Sequence, residues 1–567
     1  MSLTSQEDAS KALKARQIGS GSNFVPTDYI TKLPNELLSH IFSYLPIDYP
    51  RRGGIYYCCL VSRRFNTIAT PLLYHTLSML YKRSRIDQRV LSRPALGPET
   101  RPALGPETRL WSGSIPNGVE DLPYIRPQSL DCVRNIDVHT WDSIGNYQKS
   151  TPTEDIVDSL GPIVEVLLQR SKGQISSISL GSSRFLRYIP KSHFPAITRL
   201  NYHIHEGDLI SSAARLSLLD DNVLPCLRKL KSLIISGIDS NCNNIPIELI
   251  LRAGSEDSLK SLQLEATGNL WSSDENKLAF ALDNHEMLHS PVTPRVLESL
   301  SLQEIASLDD VAEAFHRLFC IYNLITFKVV DCPDSSDFVY LNVPQMKNLA
   351  NLYLKLTEEG LDIGKLLRSM DTPLRSLHLI ISLPNWLGWN FVLTDALINH
   401  SSTLERLWFE PCLLIKSDQW YNTIDMLQLS QFPVLKYLAL RFPQRLDFTL
   451  PFTGHFSCLE SFHLLNRGGI FLPLDIRGEE GDCRMWFAKW FVSCYNFRVP
   501  IAATGHLGVD KLKAISCVKY KYDVHAEPRT VAFLQLPEQP NELSPIEHGI
   551  IDVGFYYPEI RDFIESG

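Results

Sequence analysis

The chain has 567 residues, which is too long for one ordinary compact core unless it is built from repeats that extend in one dimension. Its net charge of −8 is unevenly distributed: residues 1–109 hold 15 Lys and Arg against 8 Asp and Glu, and the remainder holds 40 against 55. An acidic remainder argues against nucleic acid as the main ligand, because phosphate binding needs a basic surface.

Other features of the composition argue against a membrane, secreted or zinc-binding protein. No apolar run approaches the length of a membrane span, and the first residues, MSLTSQEDASKALKARQ, lack the apolar core of a signal peptide. The 12 Cys show no CxxC spacing, which favours reduced thiols over disulfides or zinc sites. We therefore expect a protein of the cytoplasm, the nucleus or both, with no metal and no cofactor.

Helical patterns begin after residues 1–26, which are polar and are predicted to form a flexible tail. Apolar residues at spacings of three and four predict a first helix after Pro34, and a second follows, with Pro71 expected to open a third. Three such short helices cannot bury their apolar faces among themselves. Another protein should cover part of them; the alternative is a small helical cap on the region that follows.

These residues resemble a known module. LPxELLxxIFxxLP and LVSRRFNxIATPLLY resemble the F-box, most closely that of fungal F-box proteins with leucine-rich repeats. The resemblance implies that residues 27–80 form a three-helix F-box, which binds the Skp adaptor of a Skp/cullin/F-box ubiquitin ligase and, through it, a cullin. It assigns adaptor binding to apolar residues of the helices: Leu33, Pro34, Leu37, Leu38, Ile41, Phe42, Leu45, Leu60, Val61 and Phe65.

The next segment, residues 81–130, is predicted to be an exposed linker. The octapeptide RPALGPET occupies residues 93–100 and is repeated unchanged at 101–108. The prolines of the two copies preclude a packed helix or strand.

A different pattern, LxxLxL, recurs from residue 131 to residue 467 with helix-like sequence in the intervals. Its twelve copies start at residues 133, 175, 197, 230, 259, 297, 324, 349, 374, 404, 435 and 459. A strand followed by a helix, repeated, gives parallel strands through right-handed crossovers. The copies loosely resemble leucine-rich repeats. The predicted fold is therefore α/β, with an N-terminal F-box followed by an irregular leucine-rich-repeat solenoid whose parallel sheet lines the concave face; the alternative is an ordinary α/β domain.

The repeat rhythm stops before residues 468–567, which are predicted to form a C-terminal cap and tail. The aromatic segment MWFAKWFVSCYNF at 485–497 suits the capping of an open repeat end better than membrane attachment, because its polar side carries few basic residues. Strands are predicted at 512–523 and 529–536.

One catalytic motif is present. His285, Glu286 and His289 spell HExxH, which on a helix places two imidazoles on one face beside a general base and would suggest a zinc hydrolase. The motif lacks the HxxGxxH extension, and Ser290 and Pro291 end the helix directly after it. We therefore expect an adaptor without catalytic chemistry, with a zinc hydrolase as the weaker alternative.

Strand alternation locates the expected substrate surface. In each LxxLxL the leucines face the helices, so the residues between them face the opposite, concave side. On the later strands this predicts a row of Tyr353, His378 and Trp408, with further residues around it, as a binding surface for a protein substrate; the full set is Tyr353, His378, Arg406, Trp408, Tyr437 and Arg441. The alternative is that a loop or the C-terminal tail covers this face and makes Trp408 a core residue.

The predicted function is accordingly substrate recognition within a Skp/cullin/F-box ubiquitin ligase. The runner-up is an F-box scaffold protein that binds the adaptor without assembling a ligase. Co-purification separates the two, because a scaffold would recover the adaptor without cullin or ubiquitinated clients.

Overall fold

The computed structural model describes much of the chain between residues 33 and 565. The described residues fall within 33–43, 58–83, 133–142, 161–203, 229–266, 294–383, 393–441, 456–465, 512–534 and 548–565, with shorter gaps inside several of these ranges. The fold is mixed α/β: two N-terminal helices precede one large sheet, and short helices lie between its later strands.

The first two helices, α1 (Asn35–Ser43) and α2 (Arg63–Leu73), pack on each other. The rings of Phe42 and Phe65 meet edge to face with centroids 5.2 Å apart, and the neighbouring Leu38 and Ala69 are fully buried. The third helix expected to open at Pro71 is not among the described residues, because α2 runs through Pro71 to Leu73.

The sheet begins directly after α2 and, within the described residues, has 16 strands that follow one another in chain order. The first fourteen are parallel, and the last two pair antiparallel. The strands of the first half are β1 (Thr76–Arg83), β2 (Asn135–Asp142), β3 (Ser177–Leu180), β4 (Arg199–His203), β5 (Ser232–Ile238), β6 (Ser261–Ala266) and β8 (Ser299–Gln303). A separate parallel pair consists of β7 (Arg295–Val296) and β9 (Phe319–Cys320).

The second half of the sheet carries the candidate site discussed below. Its strands are β10 (Thr326–Val330), β11 (Asn351–Leu356), β12 (Ser376–Leu383), β13 (Arg406–Leu413), β14 (Tyr437–Leu440), β15 (Ser461–Leu464), β16 (Ala514–Lys519), β17 (Arg529–Leu534) and β18 (His548–Gly549). Each of the twelve LxxLxL segments therefore contributes one strand of the large sheet, from β2 to β15, leaving out β7 and β9 of the separate pair. The first strand, β1, spans the boundary predicted between residues 80 and 81.

One side of the sheet is a continuous layer of leucines. The second core position of successive strands is in register, so these side chains form a ladder: Leu233, Leu262, Leu300, Phe327, Leu352, Leu377, Leu407, Leu438 and Phe462. All of them are at most 1% exposed. Burying each such side chain contributes about 1.5–3 kcal/mol, so this layer is the main source of stability.

Short helices between the strands cover the leucine layer. They are α3 (Leu308–Leu318), α4 (Ser336–Asn342), α5 (Ile363–Ser369), α6 (Leu393–Ala396) and α7 (Met426–Ser430). Phe338 of α4 lies between Phe315 and Phe327, with ring centroids 5.8 and 6.3 Å away, and so joins α3 to the sheet. One further helix, α8 (Pro558–Glu565), follows the last strand. None of the described helices is long and apolar enough to cross a bilayer.

Candidate protein-interaction sites

The first candidate site is the pair α1 and α2, and polar contacts fix its geometry. The Ser62 hydroxyl accepts a hydrogen bond from the Phe65 amide at 3.1 Å and caps the start of α2. From α2, the Arg64 guanidinium donates to the Leu33 carbonyl and to the Asn35 side chain, at 2.9 Å for the latter. The segment that precedes α1 is thereby tied to α2.

The apolar residues predicted to bind an adaptor separate into two groups in this pair. Leu38, Phe42 and Phe65 are buried between the helices, so they hold the pair together. Leu37 and Val61 are 49% and 67% exposed. Two other members lie at the edge, where Pro34 is exposed and Leu33 half-buried. Ile41 lies in α1 without a described side chain, and Leu45 and Leu60 lie outside the described residues.

The second candidate site is on the sheet face opposite the leucine layer, where Tyr353, His378 and Trp408 form what we call the aromatic row. The three residues are in register on β11, β12 and β13. The Tyr353 and His378 rings lie 4.0 Å apart, and the His378 and Trp408 rings stack at 4.7 Å. Trp408 belongs to an apolar cluster separate from the leucine core. The predicted alternation therefore agrees with the side on which these residues lie.

The expectation that the Trp408 end of this row is open is wrong, because α8 covers it. Phe563 of α8 lies 5.6 Å from the Trp408 ring and 5.5 Å from the Tyr437 ring. Trp408 and Tyr437 are consequently only 4% and 5% exposed. The structure therefore agrees with the alternative expectation, in which the C-terminal tail covers this end of the face. The sequence signal for this helix is the apolar spacing of Ile560, Phe563 and Ile564, which lies in a segment rich in proline.

An ion pair joins α8 to the sheet. Lys513 of the segment before β16 lies 2.6 Å from Glu460 and 3.6 Å from Glu559 of α8, and its ammonium lies over the Tyr557 ring. Burial by itself lowers the pKa of Lys513, but the two carboxylates more than offset this and the pKa is raised. The helix is therefore attached both by apolar burial and by charge.

The two arginines predicted for the substrate surface each have a partner. Arg406 lies over the Tyr437 ring, with 5.2 Å from its guanidinium carbon to the ring centroid. Arg441 lies 3.7 Å from the buried carboxylate of Glu410. Neither guanidinium therefore stands as an isolated charge on the face.

Two histidines of this face are buried and neutral. The His463 ring is tilted by 36° against the Trp408 ring with centroids 5.3 Å apart, and its Nδ1 lies 2.7 Å from the Ser516 hydroxyl; burial lowers the pKa of His463 to about 3. Burial, and then the charge of Lys328, lower the pKa of His378 well below its usual value. The Nε2 of His378 and the Nε1 of Trp408 are buried without a hydrogen-bond partner in the described structure. Such groups are uncommon in folded proteins and suggest a place for a ligand or water.

The Tyr353 end of the row differs from the Trp408 end in being partly exposed and cationic. The Lys328 ammonium lies 4.4 Å from the centroid of the Tyr353 ring, and both residues are half-buried. Burial, and then the nearby charge of Lys355, lower the pKa of Lys328. Lys355 itself is paired with Asp331. Burial, followed by the charges of Asp331 and Glu410, raises the pKa of Tyr353 to about 12, so its hydroxyl stays protonated.

The HExxH residues His285, Glu286 and His289 lie outside the described residues, so the structure does not test the zinc-hydrolase alternative. In the part of the chain that is described, no group of three His, Cys, Asp or Glu side chains could hold a metal ion.

Comparison with known proteins identifies the N-terminal site. Residues 30–80 match the family model described as F-box-like. No curated protein matches the chain. The matched residues contain α1, α2 and the start of β1, so an F-box-like domain lies at the N-terminal end of the large parallel sheet, and the interpretation of the chain as an F-box protein is supported.

Proposed function

We propose that this protein is the substrate-recognition subunit of a Skp/cullin/F-box ubiquitin ligase, with no catalytic chemistry of its own. The F-box-like match at residues 30–80 is the observation that carries the proposal. In this proposal the twelve LxxLxL strands are leucine-rich repeats that present a protein client to the ligase.

Adaptor binding is assigned to the exposed apolar residues of the F-box-like domain. Leu37 and Val61 leave about half or more of their surface in water, which a small helical module cannot cover by itself. An adaptor that buried the exposed part of both would gain about 1–2 kcal/mol from each side chain. Leu38, Phe42 and Phe65 support this surface from inside rather than touching the adaptor.

Client binding is assigned to the part of the sheet face that α8 leaves accessible. Outward side chains of β3 to β11 keep part of their surface exposed, and we call them the open face: Ser179, Asn201, Ile234, Gln263, Ser301, Lys328 and Tyr353. From β12 onward the corresponding side chains, His378 and Trp408 among them, are buried. The client surface proposed here is therefore displaced from Trp408 towards Tyr353.

The test is co-purification of the tagged full-length chain with a co-expressed Skp adaptor and cullin. Replacing both Leu37 and Val61 by Ala should weaken adaptor recovery at least tenfold, since about 1.4 kcal/mol corresponds to a factor of ten. A matched control replaces Leu341 and Ile398, which are 60% and 56% exposed on helices outside the domain, and should recover the adaptor like the unmodified chain. Full adaptor binding by the Leu37/Val61 variant would contradict the assigned surface. Recovery of the adaptor without cullin would favour the scaffold reading instead.

A further inference from the structure

The open end of the aromatic row contains an unbalanced positive charge. Lys328 is half-buried, and within the described part of the chain no carboxylate lies within ion-pair distance of its ammonium. Its neighbour Lys355 is already neutralised by Asp331. The Tyr353 ring offers Lys328 a cation–π contact, which offsets only part of the loss of hydration. An anion at this position would therefore be bound favourably.

A second polar group at the same place also lacks a partner. The Nε2 of His378 is buried and makes no hydrogen bond in the described structure. The His378 ring lies 4.0 Å from the Tyr353 ring, and the Lys328 ammonium lies over that same tyrosine ring. Leaving such a nitrogen unpaired costs about 1–3 kcal/mol. A neutral imidazole with its proton on Nε2 can donate to the same anion that Lys328 attracts. Two independent features thus point to one ligand chemistry.

The surrounding charges decide which kind of anion fits. Asp331 and Glu410 lie close enough to Tyr353 to raise the pKa of its hydroxyl, but each is paired with a cation, Lys355 and Arg441 respectively, so Lys328 supplies the unbalanced charge of the site. One unpaired ammonium balances a single negative charge. A phosphate, which carries nearly two charges, would leave about one of them without a balancing cation.

We propose that Lys328, His378 and Tyr353 form a subsite for a single carboxylate, supplied by an Asp or Glu side chain of a client peptide that lies along the open face. Lys328 pairs with the carboxylate, His378 donates a hydrogen bond to it, and the Tyr353 ring packs against the carbon chain that bears it. This inference rests on the proposed client-binding role and adds the chemistry of the client residue that is read.

The experiment uses the purified full-length chain and a library of displayed 12-residue peptides. Peptides selected on the unmodified chain should share an Asp or Glu at one position. One selected peptide is then synthesised in three forms, with the acidic residue, its amide and phosphoserine at that position, and binding is followed by fluorescence anisotropy. The acidic form should bind at least tenfold more tightly than the other two forms. The amide form cannot make a charge-assisted hydrogen bond with Lys328, and the phosphoserine form brings a second charge that no unpaired cation balances.

Variants test the residues themselves. Lys328→Gln should weaken binding of the acidic peptide at least tenfold and leave binding of the amide peptide nearly unchanged. Lys365→Gln is the matched control. Lys365 lies over the Tyr340 ring at 4.8 Å, so this substitution removes an equivalent lysine–tyrosine contact away from the subsite and should leave peptide binding unchanged. His378→Phe keeps the stacked ring without a nitrogen and should also weaken the acidic form. Melting temperatures equal to that of the unmodified chain show that the variants are folded.

Several outcomes would overturn the subsite: no selected peptide, selected peptides without a shared acidic residue, unchanged binding by Lys328→Gln, or tighter binding of the phosphoserine form. Adaptor recovery by Lys328→Gln keeps the two proposals apart. Loss of peptide binding with normal adaptor recovery supports the subsite. A chain that never recovers the adaptor refutes the ligase proposal, whatever the peptide result.

Discussion

The Phe563 ring of α8 meets the Trp408 ring of β13 edge to face, at 66° and with centroids 5.6 Å apart. The two residues come from distant parts of the chain, so α8 returns to the sheet and closes one end of the aromatic row. Small side chains make this approach possible, because Ala439 and Ala514 line the covered part of the face and are fully buried. The accessible surface of the face is therefore shifted towards Lys328 and Tyr353.

Removing the Phe563 ring should release α8. A buried Phe replaced by Ala typically loses about 3–5 kcal/mol, and because α8 packs in a cluster separate from the leucine core the loss should appear as local opening rather than global unfolding. In Phe563→Ala, backbone amides of residues 558–565 should exchange with deuterium about 100-fold faster or more, measured by mass spectrometry. Asp562→Ala, at an exposed position of the same helix, is the control and should exchange as before. Equal protection in both variants would mean that the ring does not hold the helix.

The sequence predicted the strands of the sheet well because the relevant information is local. An LxxLxL segment alternates apolar and polar residues, which defines both a strand and the side it buries. Ser261 to Ala266, for example, alternates strictly between half-buried and buried residues. The ladder from Leu233 to Phe462 follows because each strand enters the sheet at the same point of its pattern.

Features that depend on long-range packing were not predicted. The eight residues of α8 carry a weak local signal, and nothing near them in the chain indicates that Trp408 lies beneath them. The continuation of α2 through Pro71 was missed because proline was read as a helix start. The distinction between exposed Leu37 and buried Leu38 also required the second helix, since adjacent leucines on one helical stripe look equivalent in sequence.

The F-box-like domain should depend on Phe42 for stability and not on Leu37. Phe42 is 3% exposed and packs on Phe65, so Phe42→Ala should cost about 3–5 kcal/mol. Leu37 is 49% exposed, so Leu37→Ala should cost less than about 1 kcal/mol. Hydrogen exchange of residues 35–43 measures both, and protection of the sheet strands should not change in either variant. Comparable losses from the two substitutions would show that Leu37 is part of the internal core.

Cys332 should be chemically inert in the folded protein. It is 2% exposed, its thiol donates to the Val330 carbonyl at 3.4 Å, and burial raises its pKa to about 12. The thiolate that reacts with iodoacetamide is therefore almost absent at neutral pH. Labelling of the native protein at pH 7.5 followed by peptide mass spectrometry should leave Cys332 unmodified, while half-buried Cys320 is modified measurably. Labelling of both in urea provides the control, and native labelling of Cys332 at the rate of Cys320 would contradict its burial.

Stability should fall as the pH drops below about 6.5, and His463 should account for part of the fall. Burial lowers the pKa of His463 from 6.5 to about 3, so between these values the unfolded chain takes up a proton that the folded chain does not. Protonation then favours unfolding, and the stability present above pH 6.5 is lost progressively down to about pH 3. The slope is about 1.4 kcal/mol per pH unit for one such histidine.

Urea unfolding at pH 7, 6, 5 and 4, followed by far-UV circular dichroism, measures this slope. In His463→Gln the free energy of unfolding should be lower at pH 7, because the packing of the ring and the contact with Ser516 are changed. As the pH falls, the free energy of unfolding of this variant should decline less steeply than that of the unmodified chain, by about 1.4 kcal/mol per pH unit. His316→Gln, at an exposed position of α3, provides the comparison and should decline as the unmodified chain does. If the free energy of unfolding changed equally with pH in all three proteins, His463 would take up its proton in the folded state as readily as in the unfolded state. That result would contradict the burial of His463 beside Trp408.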